Sequence, residues 1–200
     1  MFCRFVEALN SSGMKKFLIF SAIGVVLIVI LWSVVNTVRL KQTKSFSPED
    51  VLTFLDGELK INVSYNRPYK KGREIFGSLV PYGKVWRTGA NEATVFETNK
   101  TITLAGKKLT PGKYSFWTIP DSTSWQIIFN AQHGQWGVNS KGEANRDAAL
   151  DVLSISAQAI VQENEFEQFT IQFEKMGEEA EMVLMWDKTV VVIPFSYQLP

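Results

Sequence analysis

The sequence predicts an all-β fold, an antiparallel β-sandwich or open barrel, preceded by one N-terminal transmembrane helix. Three observations point there. Short β-prone runs recur at intervals of about ten residues, with turn dipeptides between them. Apolar and polar residues alternate along those runs, as Leu59, Ile61, Val63 and Tyr65 do against Lys60, Asn62 and Ser64. Helical periodicity is almost absent outside a single uncharged stretch near the N-terminus.

That stretch, Phe17–Val35, reads FLIFSAIGVVLIVILWSVV. As a helix its nineteen residues span about 28 Å, close to the ~30 Å of a bilayer's hydrocarbon core. Val25 to Leu31 is rich in β-branched residues, yet lipid requires backbone pairing within the segment, so helix is preferred to strand. Trp32 suits the outer interface. The rival is a cleaved signal peptide, whose small-residue cleavage site has no counterpart after Val35. Basic residues tie across the segment: Arg4, Lys15 and Lys16 before it, Arg39, Lys41 and Lys44 after. The Lys15–Lys16 pair abuts the apolar run and favours a cytoplasmic N-terminus. The expected plan is a cytoplasmic 1–16, a membrane helix 17–35, a polar linker 36–47 and a periplasmic β domain 48–200. Met14 is a plausible alternative start to Met1. Cys3 precedes the apolar run, so it is not a lipoprotein cysteine.

Composition bounds the rest. Of 200 residues, about one ordinary domain remains beyond the helix, and 46% hydrophobic residues suffice for its core. A net charge of +1 offers no field for nucleic acid. One cysteine and one histidine, His133, exclude an internal disulfide and the usual zinc ligand sets. No cofactor or metal is expected.

In chain order, Ser47-Pro48-Glu49-Asp50 offers a helix N-cap, but two strands joined at Asp56-Gly57 in a type I′ hairpin are preferred. Residues 67–85 read as a solvated crossover between sheets, basic at Lys70, Lys71 and Arg73. Strands follow over 93–98 and 101–104. Thr110-Pro111-Gly112-Lys113 fits a type II turn. Two strands follow at 114–119 and 125–129. The last third reads as three or four strands, with a hairpin turning at Asp187-Lys188 and Pro194 on an edge strand. Glu178, Glu179 and Glu181 read as solvated charge in a turn. Strict alternation implies one wet face per sheet.

The least ordinary run is 83–94, GKVWRTGANEAT. It holds Trp86, Arg87, Asn91 and Glu92 between glycines and reads as a structured loop. One account pairs Arg87 with Glu92, lets Asn91 satisfy the turn and sets Trp86 into the core. The other makes Arg67, Arg73 and Arg87 an anion or sugar-hydroxyl site, with Tyr82, Trp86 or Trp136 as stacking platforms. No catalytic glycine or serine motif is present. An alternative envelope hydrolase would use Glu92 as acid/base, with a raised pKa, and Arg87 on a developing anion. The preferred function is a non-catalytic module for a small polar or carbohydrate-like ligand or an envelope protein partner. A purely structural envelope module is the third option.

Several blocks carry a resemblance: Tyr65-Asn-Arg-Pro, Lys71-Gly-Arg73, LVPYGKVWRTGANEAT at 79–94, KYSFWTIP at 113–120, residues 125–130 and Gln135-Trp136-Gly137. Together they resemble the DUF2911 family, bacterial proteins of unknown function, often exported. The resemblance covers roughly 51–200 and implies an exported bacterial β domain. It brings no established catalytic residues. In the family a basic residue often follows the aspartate-apolar-apolar step; here Ser154 stands after Asp151 to Leu153.

Overall fold

The computed structural model describes residues 2–177 and 179–198. Met1, Glu178 and Pro200, named above as a start, a turn charge and a domain end, lie outside the described residues, as do the side chains of Cys3 and Arg4. The chain divides into a helical unit up to Thr43 and a β unit from Lys44 onward.

The helix α1 runs Phe2–Phe46, so the polar stretch after Val35 is helical rather than irregular. Within its candidate membrane span, Gly13–Phe46, the most apolar 18-residue window has a mean hydropathy of 2.9, and none of that window is buried in the protein. Three hydroxyls within the span bond to the helix's own backbone. Ser21 donates to the Leu18 carbonyl, Thr37 to Ser33 and Thr43 to Arg39.

Among the described residues nine strands follow: β1 (Glu49–Asp56), β2 (Leu59–Asn66), β3 (Thr94–Thr98), β4 (Ile102–Leu104), β5 (Lys107–Leu109), β6 (Gly112–Ile119), β7 (Ser124–Asn130), β8 (Asp151–Met176) and β9 (Glu179–Tyr197). All pairings between them are antiparallel, in the order β1-β2-β3-β6-β7-β8-β9-β4-β5. The sheet is not closed; β1 and β5 are its edges. It folds into two layers at β8. The first part of β8 pairs with β7 through Gln158, and the part beyond Ala159 pairs with β9. The register shifts between Val161 and Phe166 and again before Thr170, which lets one strand serve both layers.

The alternating residues of the two layers meet in one core. Phe54 packs on Phe173 and Phe195, with ring centroids 5.4 and 5.6 Å apart. Tyr65 meets Phe169 edge-on at 5.7 Å. The Tyr65 hydroxyl accepts from the Ile171 amide at 3.0 Å and donates to its carbonyl at 3.4 Å. It therefore carries its polar tip into the core already satisfied.

Five expectations are corrected. The β1–β2 hairpin forms, but its loop is Gly57-Glu58, and of the two only Gly57 has positive φ (56°), as type II′ requires. Gly112 is not a turn residue; it pairs with Thr98 in the β3–β6 ladder, and a Cβ there would lie 2.8 Å from the Tyr114 hydroxyl oxygen. Asp187-Lys188 is not a hairpin. Asp187, at φ 53°, sits opposite Phe166 where β8 and β9 shift register, and both strands continue past it. Pro194 is on an interior strand, but it falls after the β8 ladder ends at Val191 and before the β4 ladder begins at Phe195, where no ladder pairing needs its amide. Finally, β6 is buried on both faces: Ser115, Phe116, Trp117 and Thr118 are all inaccessible. Loops cover its outer face, where Ala93, Trp117 and Ile128 form a small second core.

The crossover at 67–85 also differs from its solvated reading. It buries Ile75, Phe76 and Val80, and its start is stitched to β8 by Phe169 donating to the Pro68 carbonyl at 2.9 Å and Lys70 to the Glu167 carbonyl at 2.6 Å. Phe169 touches rings from both layers, so Phe169→Ala should lower stability by about 3–5 kcal/mol. Urea unfolding followed by tryptophan fluorescence measures this.

Candidate functional site

The loop over residues 83–94 runs along the edge of β6 beyond the end of the β3 ladder, with Val85 and Ala93 packed at the outer-face cluster around Trp117. Gly83 donates to the Pro120 carbonyl at 2.9 Å, and Trp86 exchanges two backbone hydrogen bonds with Thr118 at 2.7 and 3.0 Å. The Trp86 ring leaves that edge ladder and joins the main core. It stacks on Trp186 at 5.9 Å and 18°, and meets Phe169, Trp125 and Phe76 edge-on. Its indole N–H closes the loop on the Gly89 carbonyl at 3.0 Å. Trp86 is thus built into the core while staying half-buried.

Between Arg87 and Thr94 the chain doubles back tightly. Thr88 and Asn91 have φ of 53° and 58°, and Gly89 has φ 151°. A Cβ on Gly89 would sit 2.8 Å from the Asn66 carbonyl oxygen, so close backbone approach demands glycine there. The Thr94 hydroxyl donates to the Thr88 carbonyl at 2.6 Å. The buried Asn66 side chain is the hub. Its Nδ2 donates to Glu92 Oε2 at 3.1 Å and its Oδ1 accepts from Asn91 Nδ2 at 3.3 Å.

A second loop, residues 131–147, packs beside the first. Ala93 donates to the Gln135 carbonyl, Gly137 to the Asn91 carbonyl, and Glu92 bridges Trp136 through the backbone. Gly137 leaves room for the arginine stem: a Cβ there would lie 2.0 Å from Arg87 Cδ.

The eight expected site residues divide sharply. Arg67 is consumed in tying β2 to its neighbours, through Asp50 at 3.2 Å, the Phe169 carbonyl and the Thr170 hydroxyl. Arg73 closes its own loop on the Lys70 and Tyr69 carbonyls. Tyr82 is exposed and lies over Gly77. Asn91 is buried in the turn. Trp136 is half-buried, and its carbonyl accepts from Asn145 at 3.2 Å. The expected Arg87–Glu92 pair does not form, because Glu92 is held by Lys44 at 2.8 Å and by Asn66. No two of the three arginines share a partner.

Arg87 is left distinct. Its Nε is buried with no hydrogen-bond partner, and no carboxylate pairs with it among the described residues. Burial pushes its pKa below the ordinary value, which is the signature of an uncompensated cation. In the second loop, Gln135 Oε1 is a buried acceptor with no donor among the described residues. Asn66 and Gln135 carry no flag in composition or spacing. Both, however, fall inside blocks that resembled a known family.

The family model described as "Protein of unknown function (DUF2911)" matches residues 47–195. This chain belongs to the DUF2911 family. The match covers the β unit almost entirely and includes every residue of the two loops. Neither the curated proteins nor the solved structures yield a match.

Burial pushes the Glu92 carboxyl up, but the Lys44 hydrogen bond and charge, its own backbone N–H and Asn66 outweigh it, and the net shift is downward. That is the opposite of what a general acid at neutral pH needs. A depressed carboxyl contributes stability above its unfolded value, and that stability disappears as pH falls through the folded one. Glu92→Gln should therefore cost stability at neutral pH, within about 1 kcal/mol because the pair is over a third exposed. The gap to wild type should close as pH drops below the carboxyl's ordinary 4.5, as read by urea unfolding along a pH series.

Proposed function

We propose that this DUF2911 protein is a membrane-anchored binding module whose β domain faces the bacterial envelope. At the paired loops it takes a small polar ligand, with no reaction at the site. One observation carries the binding reading: Arg87 Nε and Gln135 Oε1 are a buried donor and a buried acceptor left unmatched in hydrogen-bonded neighbouring loops. Buried polar groups are nearly always satisfied, and an unmet one costs about 1–3 kcal/mol. A ligand offering one acceptor and one hydroxyl or amide donor relieves both, and a sugar or a hydroxy acid has that pattern. The structural reading accounts for Arg67, Arg73, Trp86, Asn91 and Glu92, all of which have partners in the protein. It leaves these two atoms unexplained.

The anchor reading rests on a helix long and apolar enough to cross a membrane, with Lys15 and Lys16 at the cytoplasmic end of its uncharged run. In intact spheroplasts, added protease should digest the β domain, and the recovered chain should retain the helix. Protection of the domain, or an N-terminus beginning after the helix, sinks this topology.

Binding is tested with the full chain in detergent, titrated calorimetrically with neutral sugars and small hydroxy acids. Arg87→Met keeps the apolar stem against Gly137 and removes the cation. It should abolish binding without lowering the unfolding midpoint, since it removes an unmet buried donor. No binding by wild type at millimolar concentration, or equal binding by the variant, overturns the assignment.

A further inference from the structure

A second site lies away from the paired loops, on the outer face of β4, β5 and β9. There a groove of about 830 Å³ opens, a volume within the range of small-molecule sites. Its floor is set by register. Lys108 pairs with Thr103, and Thr103 pairs in turn with Ser196, so the three side chains form one row across three strands. Ile102, Leu104, Leu109 and Phe195 alternate with them and point into the core, which fixes the row on the outer face. Residues of the β3–β4 and β5–β6 connections wall the groove.

The lining has a definite charge and hydrogen-bonding character. Two of its residues are lysines, Lys100 and Lys108, and none is a carboxylate. Lys100 is already paired with Glu58. The Tyr197 hydroxyl is held by Asp56, and burial followed by that hydrogen bond pushes its pKa up to about 12, so it stays neutral. The Thr110 hydroxyl is engaged with Tyr114 at 3.1 Å. By contrast, Lys108, Thr103 and Ser196 have no polar side-chain partner among the described residues. An unpaired ammonium therefore heads a line of two free hydroxyls, neighbours standing about 5 Å apart.

We propose that this groove binds an anionic carbohydrate, a sugar bearing one carboxylate or phosphate. Lys108 takes the anionic group and the Thr103 and Ser196 hydroxyls take ring hydroxyls. The carboxylate-free lining supplies the sign, and the hydroxyl row supplies the polyol recognition. The site shares no residue with the Arg87–Gln135 pair, so each stands without the other.

Calorimetry on the full chain in detergent, run in parallel on wild type and on Arg87→Met so that binding at the paired loops is subtracted, tests it with four probes: glucuronate, glucose 6-phosphate, glucose and inorganic phosphate. At least one anionic sugar should bind, with glucose and phosphate each about tenfold weaker or more. Lys108→Gln, at an exposed position, should weaken the anionic sugar about tenfold while tryptophan fluorescence stays native. Thr103→Val should weaken it too, whereas Arg87→Met should leave it unchanged. The proposal is overturned if neither anionic sugar binds at millimolar concentration or if glucose binds equally. It also falls if phosphate alone matches glucose 6-phosphate, or if the affinity follows Arg87 instead of Lys108.

Discussion

The structure depends on a single tryptophan that belongs to two places at once. The Trp86 backbone is laddered to Thr118 at the edge of β6, while its ring lies in the core against Trp186 and Phe169 of the second layer. It thereby fixes the loop, the first layer and the second layer to one another. Within the cluster around it, the indole N–H groups of Trp125 and Trp186 find no acceptor among the described residues. Each unmade bond costs about 1–3 kcal/mol. Burying a tryptophan's 150–250 Å² contributes about 4–6 kcal/mol at 25 cal/mol/Å². Ring burial therefore prevails, and the cluster holds despite its two orphaned donors.

With Trp86 in place, the loop has little freedom left. Residues 87–94 must reverse direction within the space between Asn66 and the second loop, which explains the positive φ at Thr88 and Asn91 and the glycine at position 89. Asn66 sits where both of its amide atoms are used, one on Glu92 and one on Asn91. A buried hub with both atoms engaged rigidifies its neighbours. Arg87 emerges from this frame with its stem against Gly137 and its guanidinium unpaired. The frame is fixed around the Arg87 stem by backbone geometry, and the buried Nε gains no partner from it.

Legibility in the sequence followed the range of the interaction. The β1–β2 hairpin, the strands at β3, β6 and β7, and the apolar helix were readable because each is set by residues close in sequence. The loop at 83–94 was recognisable as structured, from its glycines and its polar run. Its partners were not, because Asn66 comes from β2 and Gln135 from a loop more than forty residues further on. The same reason defeats the hairpin reading at Asp187-Lys188. Locally these residues are good turn formers, but pairing with β8 on either side keeps β9 extended through them.

The sequence by itself determined the class of each segment: an uncharged run that lipid would force into a helix, and period-two strands that must bury one face. It also determined membership of DUF2911 through blocks of local motif. Only the tertiary structure decided which polar groups are used up and which remain. Hydrogen-bond satisfaction is a property of neighbours brought together by folding, and side-chain chemistry alone cannot reveal it. Arg67, Arg73 and Arg87 look alike along the chain, yet folding consumes the first two and leaves the third unpaired.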